Sequence, residues 1–267
     1  MNLVKAHALG NDFLLLHRRE LGEGRDLPAL ARAVCDRHRG LGADGLIVYD
    51  TDAGRVWMRL LNADGSRSEI SGNGVRCLAA AIARDAQLTR GSTIDIDTEA
   101  GIKRLELLGE AHGRLTFRAA MGQPEDLTRS PIAIGGRTIE AITLRVGNPQ
   151  CVVLGEVTEA RLRTLAAALA VHPHFPEGTN VELAAVETPT RVRILIWERG
   201  VGPTEASGTG ACAAAVAAMA YGGASRDLEV EAPGGTQRVE WREDGLYLTG
   251  WAEVVAEARW LMPERAW

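Results

Sequence analysis

Glu69-Ile70-Ser71-Gly72-Asn73-Gly74-Val75-Arg76-Cys77 and Glu205-Ala206-Ser207-Gly208-Thr209-Gly210-Ala211-Cys212 are two versions of one design. Ser207 lies 136 positions after Ser71, and the same offset pairs Glu69 with Glu205, Gly72 with Gly208 and Gly74 with Gly210. An offset of 137 relates Gly10-Asn11 to Gly147-Asn148, and 136 again relates Gly42 to Gly178. The chain therefore reads as two half-repeats. Residues 1–120, joined by the C-terminal 251–267, form one, and 121–250 the other, with the linker near 122–131. A site between the halves would see two Ser-Gly-x-Gly turns from opposite sides. That arrangement suits chemistry on both faces of one carbon.

Outward from these turns, the pattern resolves into elements. Both turns run into alanine-rich stretches that are apolar nearly all round, which predicts buried helices over 73–87 and 209–222. Asp26 caps a helix over 27–38, with Pro28 in the first turn where its missing N–H costs little. Leu162, Leu165, Ala166 and Leu169 predict another over 158–170. Short strands are expected at 2–7, 12–17, 45–50, 56–61, 92–98, 103–108 and 114–119. The second half offers 138–144, 150–155, 181–186, 191–197, 228–232, 236–241 and 246–250. The fold class is α/β (α+β): two pseudo-symmetric domains, each a curved, mostly antiparallel sheet wrapped around a central buried helix.

Composition narrows the function. The 267 residues are 46% hydrophobic and 24% charged with a net charge of −5, which gives no basic surface for nucleic acid. No basic and apolar leader opens the chain, and Ala211–Ala220 is too short to span a bilayer, so no membrane contact and a cytoplasmic location are expected. Cys35, Cys77, Cys151 and Cys212 form no CxxC pair and read as buried thiols. His172-Pro173-His174 reads as a loop, and no metal site is expected. Trp251, Trp260 and Trp267 read as completing a core or an interface.

The glycine turns also have a chemical reading. A helix N-terminus presents unsatisfied N–H groups and partial positive charge, and glycines let a ligand approach that backbone. Such an end grips a carboxylate, and the turn's serine would then point at the neighbouring carbon. The plainer reading of each serine is an N-cap. Two copies with buried helices at one offset are hard to explain as two independent caps.

At these residues the chain resembles the diaminopimelate epimerase family of cofactor-independent amino-acid racemases. The resemblance runs through His7-Ala8-Leu9-Gly10-Asn11-Asp12-Phe13, Gly42-Ala43-Asp44-Gly45-Leu46, Asn62-Ala63-Asp64-Gly65-Ser66 and Gly72–Cys77. It continues through Gly147-Asn148-Pro149, Gly178-Thr179-Asn180-Val181, Trp197-Glu198-Arg199-Gly200 and Gly208–Cys212. It implies two pseudo-symmetric domains and an isomerase serving lysine and cell-wall precursor synthesis, with no pyridoxal cofactor and no metal. It also implies a homodimer, although the family's interface tyrosine falls at Ala256. One family cysteine removes the α-proton and an opposite one returns a proton to the other face. Here those positions are Ser71 and Ser207. Gln150 stands where the family has a histidine and joins them, with Glu198, in the implied catalytic set. Substrate-binding positions carried over are Asn11, Asn62, Gly72, Asn73, Asn148, Asn180, Glu198, Arg199, Gly208 and Thr209. Glu198 suits an ammonium, Arg199 forks onto a carboxylate, and the amides bridge both.

Serine for cysteine changes the energetics. A free thiol ionises near pKa ~8.5, whereas an unactivated hydroxyl lies nearer water at ~15.7. A gap of roughly 5 to 7 corresponds to about 7–10 kcal/mol, against which a helix dipole returns at most ~2 kcal/mol. Serine needs an adjacent base. Glu69 and Glu205 stand two residues before the serines and would share their faces in an extended segment. Three readings follow: an epimerase of diaminopimelate, a racemase or dehydratase of another amino acid, or an amino-acid-binding protein without catalysis.

Overall fold

A computed structural model describes residues 1–22, 24–52 and 55–261. The chain divides into two compact units, 1–119 with 250 onward, and 120–249.

In the first unit the strands are β1 (Asn2–Ala8), β2 (Asn11–His17), β3 (Gly45–Asp52), β4 (Arg55–Asn62), β5 (Arg67–Ser68), β6 (Thr93–Thr98), β7 (Gly101–Ala111) and β8 (Arg114–Gly122), and the helices are α1 (Leu27–Cys35) and α2 (Gly72–Asp85). β1 and β2 form a hairpin across Leu9-Gly10, both with positive φ, as a two-residue primed turn requires. β2 pairs parallel with β3, β3 antiparallel with β4, and β4 parallel with β6. β6, Thr93-Ile94-Asp95-Ile96-Asp97-Thr98, alternates exposed and buried residues, the signature of a sheet with one dry face. Cys77, Leu78, Ala79, Ala80, Ala81 and Ala83 of α2 are all buried, so small side chains line the helix on every side. α1 covers a second core of Leu14, Leu16, Leu46, Val48 and Leu61 with Leu30 and Val34.

The second unit repeats this plan. It holds β9 (Glu125–Ile134), β10 (Arg137–Val146), β11 (Asn148–Leu154), β12 (Asn180–Thr188), β13 (Arg191–Glu198), β14 (Gly202–Thr204), β15 (Asp227–Ala232), β16 (Gly235–Arg242) and the start of β17 (Gly245–Arg259). β10 with β11 is antiparallel, β11 with β12 parallel, β12 with β13 antiparallel and β13 with β15 parallel, matching β1 through β6 pair by pair. Its helices are α3 (Glu159–Arg161), a π-helical segment Leu162–Ala166, α4 (Ala167–Ala170) and α5 (Gly208–Tyr221). Ala211–Ala218 of α5 are essentially inaccessible and pack on Leu144, Val152, Ile194, Ile196, Val230 and Val239. On the opposite sheet face, Leu162, Ala166 and Leu169 pack on Cys151, Val153, Val181 and Leu183.

Three local expectations change. The helix over 158–170 is interrupted by the π segment, in which the Thr164 hydroxyl donates to the Ala160 carbonyl at 2.8 Å and competes with the regular ladder. Residues 122–131 are not a linker: most of them lie in β9, which pairs with β10 across the positive-φ pair Gly135-Gly136. β17 does not stop near 250 but runs to Arg259, and its last residues pair with β1 from Asn2↔Arg259 to His7↔Glu253. Trp251 packs edge-on to His7 at 5.4 Å with the Arg114 guanidinium over it at 4.1 Å. Trp260 lies against the core beneath α1. Trp267 falls outside the described residues.

Candidate functional site

Each serine sits where an extended segment turns into a buried helix. Ser71 (φ −130°, ψ 122°) caps α2, its Oγ accepting the Gly74 N–H at 3.1 Å. Ser207 (φ −136°, ψ 132°) caps α5, its Oγ accepting the Gly210 N–H at 3.2 Å. The Thr209 hydroxyl lies 3.5 Å from Ser207 Oγ. Ser207 is 5% exposed and Ser71 is half-buried. The cap uses the N–H three residues on, at the helix end where the regular ladder leaves the first backbone N–H groups over. Glu69 and Glu205 are exposed. Among the described residues neither makes a hydrogen bond to its serine.

The asparagines gather in two sets. In the first unit, Asn11 opens β2 directly after the hairpin turn. Its Nδ2 donates to Asp44 Oδ2 at 2.8 Å and its Oδ1 accepts from Asn73 Nδ2 at 3.2 Å. The buried Asn73 also accepts from the buried Arg76 guanidinium. Asp44 is held by Arg37, which bridges to Asp12 at 2.7 Å, and Lys5 pairs with Asp12 at 3.0 Å. Burial works against the Asp12 carboxylate, but hydrogen bonds from Arg37 and Lys5 and their positive charges hold it below the usual range. Asn62 ends β4, its Nδ2 donating to Ser66 Oγ at 2.9 Å across the turn.

In the second unit, Asn148 opens β11 after Gly147 (φ 77°) and accepts from Gln150 Nε2 at 2.6 Å. Gln150 is 1% exposed, and its Oε1 has no hydrogen-bond partner among the described residues. Asn180 opens β12 opposite Gln150, and its Oδ1 accepts the Arg199 N–H at 2.9 Å. Glu198 ends β13, and Arg199 follows with Nη1 donating to the Glu177 carbonyl at 2.9 Å. Gln150, Asn180 and Glu198 therefore form one polar row across three adjacent strand ends. The register of the first unit puts Phe13, Gly45 and Asn62 in the matching row.

One polar residue was not singled out from the sequence. Glu182, two positions along β12 from Asn180, is fully buried, and neither of its carboxylate oxygens has a hydrogen-bond partner among the described residues. Burial, and then the negative charge of Glu198, raises its pKa well above the usual carboxylate range. Alternation in Val181-Glu182-Leu183 reads as a solvent-facing position, because it cannot tell that both sheet faces are covered. All four cysteines are buried and none is joined in a disulfide. Burial pushes the Cys35 and Cys151 thiols up to about 12, and Cys77 is raised further still.

A profile of the family described as diaminopimelate epimerase matches residues 3–126 and 142–255. The chain is 40% identical to the diaminopimelate epimerase of Desulforudis audaxviator, over 98% of this chain and 99% of that protein. It is 37% identical to that of Heliobacterium modesticaldum, over 94% and 96%. Its fold is similar to the crystal structure of a probable proline racemase from Agrobacterium radiobacter, with a TM-score of 0.74 and 15% identity over 99% of this chain and 94% of that one.

Proposed function

Because this chain belongs to the diaminopimelate epimerase family, we propose that it interconverts LL- and meso-2,6-diaminopimelate with Ser71 and Ser207 as the two proton-handling groups. It is an isomerase that needs no pyridoxal. The observation that carries the residue assignment is the doubled cap. Both serines hold their oxygens at the first turn of a buried helix, the positive end that suits the α-carboxylate. One serine takes the α-proton as the other hands a proton to the opposite face. Carboxylate binding at a positive helix end also stabilises the charge that develops next to it as the carbon is deprotonated.

The rest of the substrate is an amino acid in its own right. Asn11, Asn62, Asn73, Asn148 and Asn180 supply amides for it, Glu198 meets its ammonium and Arg199 its carboxylate. Gly72, Gly208 and Thr209 supply backbone N–H groups at the reacting end. Gln150 replaces a proton-transferring group by an amide, so it orients and does not titrate. The family resemblance also supports a cytoplasmic homodimer, which sedimentation and cell fractionation test.

The test is incubation with LL-diaminopimelate in deuterated water, followed by NMR at the α-proton. Exchange with accumulation of the meso form is expected. Binding without exchange, or turnover of a different amino acid only, overturns the proposal. Replacing both serines by cysteine should raise the rate by orders of magnitude, since a thiol at a helix N-terminus ionises far more readily than a hydroxyl. No gain overturns the assignment of these two positions.

A further inference from the structure

The two serines stand on different ground. In the second unit, Glu182 lies in the row directly beneath Gln150, Asn180 and Glu198, between Val152 of β11 and Ile196 of β13. Its Oε1 would lie 2.7 Å from a Cβ placed on Gly210, and Ser207 Oγ lies 3.3 Å from that same point. The two oxygens are therefore within about 6 Å of each other, a gap one bridging water or one rotamer change spans. In the first unit the matching place belongs to Ile47, between Leu15 and Leu60, whose Cδ1 lies 3.0 Å from a Cβ placed on Gly74. One serine stands over a carboxylate and the other over a hydrocarbon.

We propose that Glu182 is the proton acceptor behind Ser207: a positioning residue that activates the Ser207 hydroxyl and makes the two bases of the reaction unequal. The inference rests on the two-base reading above and goes beyond it. In the step, the substrate C–H bond breaks and its proton bonds to Ser207 Oγ. The original hydroxyl proton passes to the Glu182 carboxylate, and the electron pair stays on the α-carbon. Glu182 ends neutral and the substrate carries the charge. Ser71 then gives its hydroxyl proton to the opposite face of the α-carbon, and proton exchange with water after product leaves restores Ser71 and Glu182. In the opposite direction Ser207 donates to the carbon and takes its proton back from Glu182.

The surroundings suit this duty. An uncompensated carboxylate is costly to bury, yet among the described residues no cation pairs with Glu182. From β13 it meets Glu198. From β11 its partner is Val152, and the neighbouring Cys151 thiol feels its charge. α5 brings Ser207 and Gly210, and carries no charged side chain between Gly208 and Tyr221. Without a fixed counter-charge the group both accepts and releases a proton, which a salt-bridged carboxylate does poorly. Gly210 is what admits the carboxylate to the helix start, because any side chain there would occupy its place.

The experiment compares the unaltered protein, Glu182→Gln, Ser207→Cys and the double variant in diaminopimelate epimerisation over a pH series. Glu182→Gln should lower kcat by about 10²–10⁴-fold, the usual worth of a general base, with KM little changed, and should remove from the kcat profile the rise with pH that ionisation of Glu182 is expected to give the unaltered protein. Ser207→Cys should be indifferent to Glu182→Gln, because a thiol needs no such partner. Unaltered rate and profile in Glu182→Gln overturn the inference, as does an equal loss in the Ser207→Cys background, which marks a structural role. If Glu182→Gln does not fold, the comparison falls to the unaltered protein and Ser207→Cys. Identical pH profiles for these two then overturn it. Absence of epimerisation in the unaltered protein defeats the functional reading itself, and this inference with it.

Discussion

Ser71 and Ser207 hold the same local post: each Oγ accepts the N–H of the glycine three residues on, at 3.1 Å from Gly74 N and 3.2 Å from Gly210 N. A cap and a base are separable. Replacing either serine by alanine should cost about 1 kcal/mol in urea unfolding, the typical value of a lost cap. Replacement by glycine should cost only a few tenths. Both changes should abolish epimerisation alike. If activity tracks stability across the series, the serines are caps alone.

The glycines inside the two first turns should differ in consequence. Alanine at Gly74 meets the tip of Ile47, a flexible hydrocarbon end, at 3.0 Å. Alanine at Gly210 meets a carboxylate oxygen at 2.7 Å and the Ser207 side chain at 3.2 Å. Both substitutions gain helix propensity, about 0.8–1 kcal/mol. Gly210→Ala should nevertheless lose far more epimerase activity than Gly74→Ala, read as kcat with calorimetry as the control for folding.

Glu182 predicts how stability responds to alkali. Its pKa is raised in the folded protein by burial and by Glu198. The stability linked to it is therefore fully present below the ordinary carboxylate value of 4.5 and is lost as pH rises through the higher folded value. Glu182→Gln should flatten this part of the denaturation profile. A slope unchanged by the substitution would show that the carboxylate finds a partner in solution.

Asp12 predicts the opposite limb. Its pKa is lowered, burial being outweighed by Arg37 and Lys5, so the stability it contributes is present above 3.8 and lost as pH falls through the folded value. Asp12→Asn should remove that acid-side loss. Arg37→Met should remove part of it only, since Arg37 is half exposed and Lys5 remains.

Thiol chemistry separates structural from introduced cysteines. Cys35 and Cys151, pushed up to about 12, and the still more raised Cys77, should resist alkylation in the native protein. A cysteine at position 71 should label quickly at the same pH, as mass spectrometry of tryptic peptides will show. Equal labelling would mean that the helix start does not activate a thiol there.

Much of the fold class was legible because the glycine turns and alanine-rich helices signal locally, through capping and burial on all sides. The lower register of the site was not. Glu182 alternates with Val181 and Leu183 as a solvent-facing residue would, and only the arrival of α5 from far along the chain covers it. The stretch Val254-Val255-Ala256-Glu257-Ala258-Arg259 carries little strand signal of its own. It becomes strand because β1 offers it a partner, the kind of distant context that outweighs propensity in sheets. β9 failed for a related reason: its Pro131 and mixed charges suit a connection, and its pairing with β10 decides otherwise.

The last long strand has a consequence for dissection. Thr249 and Gly250 are neighbours within β17, yet they belong to different units. A fragment ending at residue 119 would leave β1 stripped along one side, with bare amide and carbonyl groups inviting any passing backbone. The first half is completed by the far end of the chain, and a fragment cut at residue 119 should precipitate unless residues 250–259 are supplied as a peptide.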